Sequence, residues 1–88
     1  MVSKEITIVN KLGLHARPAA LLVKTASKFK SEIVLRKKNL EVNGKSIMGV
    51  MMLAAEMGSK LTIIVQGQDE KEALKAMVKV FESKFGEE

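Results

Sequence analysis

The segments of this chain that resemble β-strands carry apolar side chains on one face only, and this restricts the folds open to it. Apolar and polar residues alternate around three groups of residues: Ile6 with Ile8, Ile33 with Leu35, and Leu61 with Ile63 and Val65. A further short strand is predicted at 40–42, after a turn at 37–39. A strand with a single apolar face buries only that face, which is typical of an antiparallel sheet.

Helical periodicity occupies the longest segment between these strands. From Ala16 to about Lys28, apolar residues recur three and four positions apart, at Ala19, Leu22, Val23 and Ala26. This stripe predicts a helix with one buried face. Lys24 and Lys28 lie off the stripe and are expected to face water.

The segment around Ser46 predicts a second, short helix. Asn43 and Gly44 form a turn, and Ser46 is then well placed as the N-cap of a helix that holds Ile47, Val50 and Met51. Gly44-Lys45-Ser46 also resembles the end of a phosphate-binding P-loop. Asn39 stands where the earlier glycine is required, however, and a short strand precedes the segment, so we reject nucleotide binding there.

The last helix is predicted to begin at Asp69, with Glu72 three residues later resembling a capping box. Gly86 follows as a stop signal. One apolar face carries Ala73, Leu74, Met77, Val78, Phe81 and Phe85. The resulting order, β-α-β-β-α-β-α, predicts an α+β open-faced sandwich in which three helices cover one side of a four-stranded antiparallel sheet.

Length and charge limit the classes of function. Eighty-eight residues indicate one small domain, 1–88, with little room for a second core or a deep cleft. The net charge of +5 suggests acidic partners, and nucleic acid is one class of these. Trp and Tyr are absent and the three Phe residues occupy core-like positions, so a base-stacking surface is poorly supported and no direct nucleic-acid binding is expected.

The chain has no Cys and a single His, which excludes disulfides and thiol chemistry and argues against a structural metal site. No cofactor is implied. Lys4 and Glu5 interrupt the first residues, so no apolar core of a signal peptide is present. The longest apolar stretch, 47–55, contains Gly49 and is too short to span a bilayer. These features predict a cytoplasmic protein with no membrane insertion.

The only histidine and the only proline lie within the segment 13–19, where a turn glycine leads into the first predicted helix. His15 and Arg17 are therefore expected at a helix N-terminus, where backbone N–H groups and the helix dipole favour an anion. A neutral imidazole has a nitrogen lone pair that can attack phosphorus, and Arg17 can bind the same anion. This pattern predicts a phosphoryl group carried on His15.

Simpler explanations exist for most of these residues. His15 can be a polar N-cap, Pro18 a first-turn residue and Gly13 a turn residue without any chemistry. The chain has no second histidine and no cysteine, and none of its serines belongs to a pattern typical of a catalytic triad. An independent hydrolase is therefore not supported. The pattern indicates a protein that another protein phosphorylates and that performs no turnover alone.

Around Ser46 two alternatives also stay open. N-capping explains this serine, and a regulatory phosphosite at a helix N-terminus is the functional alternative. Ile47, Met48, Met51 and Met52 exceed what one helical face needs; Met48 and either Met51 or Met52 should be exposed as a partner-binding surface, with ordinary core packing as the alternative. The lysines at 24, 28, 30, 37, 38 and 45 are either a solvated surface or a means of steering an acidic partner.

Two motifs carry a family resemblance over essentially the whole chain. Gly-Leu-His-Ala-Arg-Pro-Ala at 13–19 and Lys-Ser-Ile-Met-Gly-Val-Met at 45–51 closely resemble the HPr family, the histidine-containing phosphocarriers of the bacterial phosphoenolpyruvate–sugar phosphotransferase system. The resemblance implies an open-faced β-sandwich with four strands and three helices. It also implies that His15 accepts phosphate from phospho-Enzyme I through Nδ1 and passes it to a histidine of sugar-specific IIA domains.

The resemblance assigns further residues. Arg17 matches the phosphate-interacting arginine, and Ile47, Met48 and Met51 match the docking patch shared by both partners; Lys24 on the neighbouring helix is expected to contribute to docking. Ser46 matches the serine that HPr kinase/phosphorylase modifies in relatives where phospho-Ser46 favours a catabolite-control transcription factor. A monomer is expected.

Three classes of function therefore compete. The first is a phosphocarrier acting through His15, and the second is a mainly regulatory interaction protein of carbon catabolite control acting through Ser46. The regulatory paralogue of the family lacks the active histidine, which this chain retains. The third class, nucleic-acid binding through the basic surface, predicts a steep dependence of affinity on salt. Met52, Ala54 and Lys38 depart from the family pattern.

Overall fold

A computed structural model of the chain describes residues 1–86. The elements in chain order are β1 (Val2–Thr7), α1 (Ala16–Ala26), β2 (Glu32–Lys37), β3 (Leu40–Asn43), α2 (Ile47–Met52), β4 (Lys60–Gln66) and α3 (Glu70–Glu82), followed by a 3₁₀ turn over Lys84–Gly86. The predicted order β-α-β-β-α-β-α is confirmed. No helix within the described residues combines the length and the apolar content that crossing a membrane requires.

The four strands form one antiparallel sheet in the order β1-β4-β2-β3. Along β4, Leu61 lies opposite Ile6 of β1, and Ile63 lies opposite Leu35 of β2. These side chains, together with Val65, are buried on the face that the helices cover. The predicted α+β open-faced sandwich is confirmed, because β1, β2 and β4 bury side chains on one face only and the helices cover that face.

The opposite face of the sheet explains why the helices occupy a single side. Glu5, Thr62 and Arg36 lie side by side across β1, β4 and β2. Glu5 and Arg36 are exposed and Thr62 is half-buried. A face with charged residues at its centre gains little from a second layer, so the chain leaves it to solvent.

Ile8, which was predicted within the first strand, lies just beyond the end of β1. Its N–H donates to the Ser59 carbonyl at 2.9 Å, and its carbonyl accepts from the Gly58 N–H at 2.8 Å. Ile8 is nevertheless 1% exposed. The two hydrogen bonds hold the segment after β1 against the segment that enters β4, and they fix where the following loop begins.

Helix α1 ends at Ala26, two residues before the predicted end. The Lys28 N–H donates to the Thr25 carbonyl at 3.2 Å, and the Phe29 N–H donates to the Ala26 carbonyl at 3.2 Å. These are three-residue spacings, which tighten the last turn and stop the α-helix. The predicted stripe is confirmed at Ala19, Leu22 and Ala26, which are buried, whereas Val23 is half-buried.

Helix α3 ends at Glu82, earlier than the predicted stop at Gly86. Phe85 therefore lies outside the helix, in a left-handed conformation with φ of +57°. This turn directs its ring back to Phe81, with a centroid separation of 5.3 Å and an edge-to-face angle of 71°. Both rings are buried, so the prediction that Phe81 and Phe85 are core residues is confirmed, while the helical path to Phe85 is wrong. Phe29, the third phenylalanine predicted at a core position, is half-buried against the core.

The predicted capping box of Asp69 and Glu72 is wrong. Asp69 occupies the N-cap position of α3, but its carboxylate makes no capping hydrogen bond to the helix. It accepts instead from the N–H groups of Lys30 and Ser31, both at 2.9 Å, and from the Ser31 hydroxyl. Three donors outweigh the single N–H that a capping box supplies, so the carboxylate joins α3 to the start of β2.

The hydrogen bonds to Asp69 stabilise the ionised form of its carboxyl group. The Ser31 hydroxyl, and then the Lys30 N–H, lower the pKa of this carboxyl from 3.8 to about 2. The unfolded chain therefore takes up a proton near pH 3.8, while the folded chain resists protonation down to about pH 2. The contribution of Asp69 to stability is complete above this interval and is lost as the pH falls through it.

We expect Asp69→Asn to flatten the acid limb of the stability profile. The amide keeps the shape and one acceptor oxygen but removes the charge, so the variant is less stable than the wild type at neutral pH. The difference should shrink from about pH 4 to about pH 2. Thermal denaturation over this range measures it, with Glu72→Gln, an exposed carboxylate in the same helix, as control. Parallel curves for wild type and Asp69→Asn would contradict the assignment.

Candidate functional site

The loop before α1 is closed by its own hydrogen bonds. The buried Asn10 side chain donates from Nδ2 to the Gly13 carbonyl at 2.9 Å, and the Gly13 N–H donates to the Asn10 carbonyl at 3.3 Å. Gly13 has φ of +66°, a conformation that L side chains rarely adopt. The predicted turn at Gly13 is confirmed.

A second set of contacts attaches this loop to the segment after α2. The Leu14 N–H donates to the Ala55 carbonyl at 2.9 Å, and Leu14 is buried. A Cβ at Gly13 would lie 2.3 Å from the same Ala55 oxygen and 2.9 Å from Glu56 Cα. The close approach of the backbone at residue 13 to Ala55 therefore requires a glycine. This approach positions Leu14 and, directly after it, His15.

His15 occupies the N-cap position of α1. Its backbone is extended, with φ of −80° and ψ of −174°, and its carbonyl accepts from the Ala19 N–H at 3.0 Å. The simpler explanation of His15 as an N-cap residue is therefore right about its position, but the imidazole makes no capping hydrogen bond to the helix. The side chain is half-buried, beside the first turn of the helix.

The first turn of α1 is positively polarised. Arg17 is exposed two residues after His15, and no acidic residue lies in this turn. Pro18 is buried and lacks an N–H, while the N–H groups of Ala16 and Arg17 precede the intrahelical hydrogen-bond ladder. The arrangement places an imidazole, a guanidinium and helix N–H groups at one end of α1, which suits a bound anion.

Ser46 has the capping role that its position predicts. Its hydroxyl oxygen accepts from the Gly49 N–H at 3.1 Å at the start of α2. The residue is half-buried. A serine that caps a helix also presents its oxygen at the positive end of that helix, so capping and modification use the same location.

Helix α2 exposes four apolar side chains, which we call the α2 patch: Ile47, Met48, Met51 and Met52. Their exposed fractions are 45%, 74%, 41% and 65%. Only Val50 of this helix is buried. The prediction that Met48 and one of Met51 and Met52 are exposed is confirmed, and both of the latter two are. Flexible apolar side chains in such a group are typical of a surface that accommodates partners.

The sequence patterns do not predict two exposed leucines near the site, one on α1 and one in the loop before it. Leu21 lies on α1, which packs against α2, and is 37% exposed. Leu12 lies in the loop before His15 and is 74% exposed. The available signal for Leu21 was its place off the helical stripe, next to the buried Leu22. An apolar residue off the stripe is open to solvent or to a partner.

The basic residues near these helices separate into two groups. Lys24 and Lys28 are exposed, as predicted. Lys45 instead donates from Nζ to the Phe29 carbonyl at 2.7 Å. Lys37 donates to the carbonyls of Leu53 at 3.1 Å and Ala54 at 3.3 Å. Lys37 and Lys45 therefore serve the fold, and the expected basic surface is smaller than the sequence indicates.

The contact of Lys37 lies at the C-terminal end of α2. Leu53 is the C-cap of this helix, and Ala54 follows with φ of +48°. A cation near the last carbonyls of a helix is favoured by the helix dipole. The next residue, Ala55, accepts the hydrogen bond from Leu14, so Lys37 holds the segment to which the His15 loop is attached.

The described residues bring His15 and Arg17 to one end of α1, and α2 with its patch packs beside this helix. Ser46 begins that neighbouring helix. Within residues 1–86 no three His, Cys, Asp or Glu side chains come close enough together to hold a metal ion. The groups at this end of α1 are the His15 imidazole, the Arg17 guanidinium and the N–H groups of the first turn.

Three comparisons relate this arrangement to known proteins. A family model described as "PTS HPr component phosphorylation site" matches residues 2–83. The phosphocarrier protein HPr of Treponema pallidum (strain Nichols) is 51% identical over 88 residues, covering both chains completely. The HPr-like protein Crh of Halalkalibacterium halodurans is 49% identical over 82 residues, which cover 93% of this chain and 98% of that protein.

The fold is also similar to a solved structure. The crystal structure of HPr-C-His from Thermoanaerobacter tengcongensis aligns with a TM-score of 0.96 at 56% sequence identity. The alignment covers 100% of this chain and 99% of that one. The similarity thus extends over every element, including the loop that carries His15 and the helix that carries the α2 patch.

Proposed function

The chain belongs to the HPr family of phosphocarriers, and from this we propose that it carries a phosphoryl group on His15 from phospho-Enzyme I to sugar-specific IIA domains. The observation that supports this most directly is the position of the His15 imidazole. It stands at the N-terminus of α1 without capping the helix, two residues before the exposed Arg17.

The transfer step uses few groups. The Nδ1 lone pair attacks phosphorus, and the bond between phosphorus and its donor breaks as the bond to Nδ1 forms. The phosphoryl oxygens then face Arg17 and the N–H groups of the first turn of α1. In the transfer to a IIA domain, the histidine of that domain attacks phosphorus, and the bond between phosphorus and Nδ1 of His15 breaks as the new bond forms. The stabilisation has to be moderate, because a tightly held phosphoryl group would not move on.

We propose the role of a carrier without independent turnover. The chain has one histidine and no cysteine, so no second titratable nucleophile or acid–base partner of that kind accompanies His15. Hydrolysis in particular needs a positioned base to activate water. Exposure of the site at the start of α1 suits exchange with two large partners in turn.

Enzyme I and the IIA domains are proposed to dock on the α2 patch. Ile47, Met48 and Met51 are exposed beside α1, and Met52 and Leu21 enlarge the same apolar surface. Lys24, exposed in the last turn of α1, adds a positive charge that attracts acidic partners. Because partners need this surface free, we propose a monomer as the exchanging form, and the cytoplasm as its compartment on the sequence features above.

Regulation through Ser46 is a second candidate function. The similarity to an HPr-like protein Crh favours it, and so does the location of Ser46 at the edge of the α2 patch. A phosphate on this hydroxyl would sit on the N-terminus of α2 and add negative charge beside the apolar docking surface. We propose that HPr kinase/phosphorylase supplies it, that Enzyme I docking weakens, and that a catabolite-control transcription factor is the alternative partner.

Two substitutions separate capping from charge at Ser46. Ser46→Asp retains an N-cap acceptor and adds a negative charge, so we expect unchanged stability but a rate of phosphate acceptance that is lower by about tenfold. Ser46→Ala removes the cap and adds no charge, so it should lower the free energy of unfolding by about 1 kcal/mol and leave the rate unchanged. Urea denaturation and single-turnover kinetics measure the two effects. Equal rates for both variants would argue against electrostatic regulation.

Intact-protein mass spectrometry tests the carrier role. The protein is incubated with phosphoenolpyruvate and a bacterial Enzyme I that is first verified on an HPr of known activity. We expect a single added phosphate that is lost in acid and survives base, which marks phosphohistidine. No added mass with the verified Enzyme I would reject the carrier proposal. Incubation with ATP and HPr kinase then tests the regulatory alternative separately.

A further inference from the structure

A groove remote from His15 runs between the edge of the sheet and α3. Its volume is about 540 Å³. Val2, Leu74 and Val78 form an apolar floor, and the charged lining consists of four lysines and one acidic residue: Lys4, Lys71, Lys75, Lys79 and Glu82. None of these residues belongs to the α2 patch or to the loop of His15. We refer to it as the lysine groove.

Within residues 1–86, the strand along the lysine groove has one edge with no neighbouring strand, which we call its free edge. β1 is the first strand in the order β1-β4-β2-β3, so its backbone pairs with β4 on one side only. An edge strand presents N–H and C=O groups that can pair with a further strand. Lys4 on this strand protects the edge from unwanted pairing, but edge protection does not explain the lysines on α3.

The three lysines on α3 form a row of like charges. Lys71, Lys75 and Lys79 are four residues apart, a spacing at which like charges destabilise a helix. None of them, nor Lys4, forms an ion pair with another residue between 1 and 86. A row of unpaired positive charge beside an apolar floor indicates an anionic, partly apolar occupant.

The geometry of the row suits an extended peptide. α3 runs alongside β1, because the Met1 ammonium lies 3.3 Å from the Glu70 carboxylate at one end, and Phe81 lies with Ile6 and Thr7 around a cleft at the other. Four residues of helix advance about 6 Å. Two residues of strand advance about 6.7 Å. Acidic residues at every second position of an added strand would therefore have nearly the same spacing as the lysines along α3.

We propose that the lysine groove binds an acidic, extended segment of a partner protein, which adds to β1 as a fifth strand. Its backbone pairs with the free edge, and the glutamates at every second position turn their carboxylates to the lysine row while their methylene groups cover Val2, Leu74 and Val78. The side chains between them lie on the opposite face of the sheet. Nucleic acid fits less well, because the groove has no aromatic residue for base stacking. A second copy paired through β1 would bring another Lys4 against the same lysines.

The test is a titration of the ¹⁵N-labelled full chain, followed by amide shifts. The probe is an acetylated heptapeptide that alternates glutamate and valine, and its control has the same composition with all glutamates at one end. We expect shifts confined to β1 and α3 with the alternating peptide. Equal binding of the control peptide, shifts elsewhere, or larger shifts of the same amides with a short single-stranded oligonucleotide would overturn the proposal.

A charge reversal makes the test specific. Lys75→Glu places an opposite charge between Lys71 and Lys79, so the helix is not destabilised and the thermal midpoint should be unchanged or higher. The dissociation constant of the probe should rise by about fivefold. Lys28→Glu, an equal charge change on an exposed residue outside the groove, should leave it unchanged. Unchanged affinity in Lys75→Glu would refute the proposal. Phosphate acceptance at His15, measured on the same samples, reports the carrier function independently.

Discussion

Replacing His15 with alanine is expected to abolish phosphate acceptance from Enzyme I while the fold remains intact. The chain contains no other histidine, so no second imidazole can take over. The imidazole does not cap α1, and the hydrogen bonds of residue 15 that start the helix involve its backbone. Because the variant keeps these backbone hydrogen bonds, we expect it to remain folded, with a change in the free energy of unfolding of about 1 kcal/mol. Mass spectrometry after incubation with phosphoenolpyruvate and Enzyme I, together with thermal denaturation, measures both.

An Arg17→Ala variant is the matched control for this experiment. It removes the neighbouring guanidinium but keeps the nucleophile, so phosphate should still appear on the protein, at a lower rate. The contrast between no acceptance and slow acceptance separates the acceptor from its electrostatic support. If the His15→Ala variant still acquired acid-labile phosphate, His15 would be excluded as the acceptor.

Gly13→Ala is expected to have the largest effect on the structure of the site. The new Cβ would lie 2.3 Å from the Ala55 carbonyl oxygen, and the backbone at residue 13 has a φ of +66°. The left-handed conformation costs about 1–2 kcal/mol for a residue with a Cβ. Displacement of the packed loop adds about 1–3 kcal/mol. We expect urea denaturation to show a loss of roughly 2–5 kcal/mol in total.

The same change should slow phosphate acceptance, because the Leu14 hydrogen bond to Ala55 lies between residue 13 and His15. Gly58→Ala is the control. Gly58 also has a positive φ, of +91°, but a Cβ there meets no atom within 4 Å. It should therefore show only the conformational cost, with normal acceptance. Equal losses of stability in the two variants would show that φ alone, and not the contact with Ala55, makes glycine necessary at 13.

The elements of the fold were predictable because their signals are local. The two-residue alternation at Ile33 and Leu35, and the helical stripe through Ala19 and Leu22, require only neighbouring residues to be read. The N-cap at Ser46 was predictable for the same reason, since the cap and the Gly49 N–H lie within one turn. The location of His15 at the start of α1 follows from the glycine and proline around it.

The polar contacts between elements were not predictable. Asp69 appeared to be a capping residue because its alternative partner, Ser31, is 38 positions away in the chain. Lys37 and Lys45 appeared to be surface charges, because the carbonyls that bind them belong to segments 16 and 17 residues distant. When a side chain can bind either a local partner or a distant one, the packing of whole elements decides which it binds. The periodicity of the sequence does not describe that packing.

By itself, the sequence determined which segments form strands and helices, which face of each is buried, and that one imidazole stands at a helix N-terminus. Each of these depends on spacing along the chain. The tertiary structure alone decided the strand order, the attachment of the His15 loop to Ala55, the exposure of the whole α2 patch and the free edge of β1 beside three lysines. These features depend on which distant segments come into contact. The contacts form when the apolar faces of the helices and of the sheet are buried against one another.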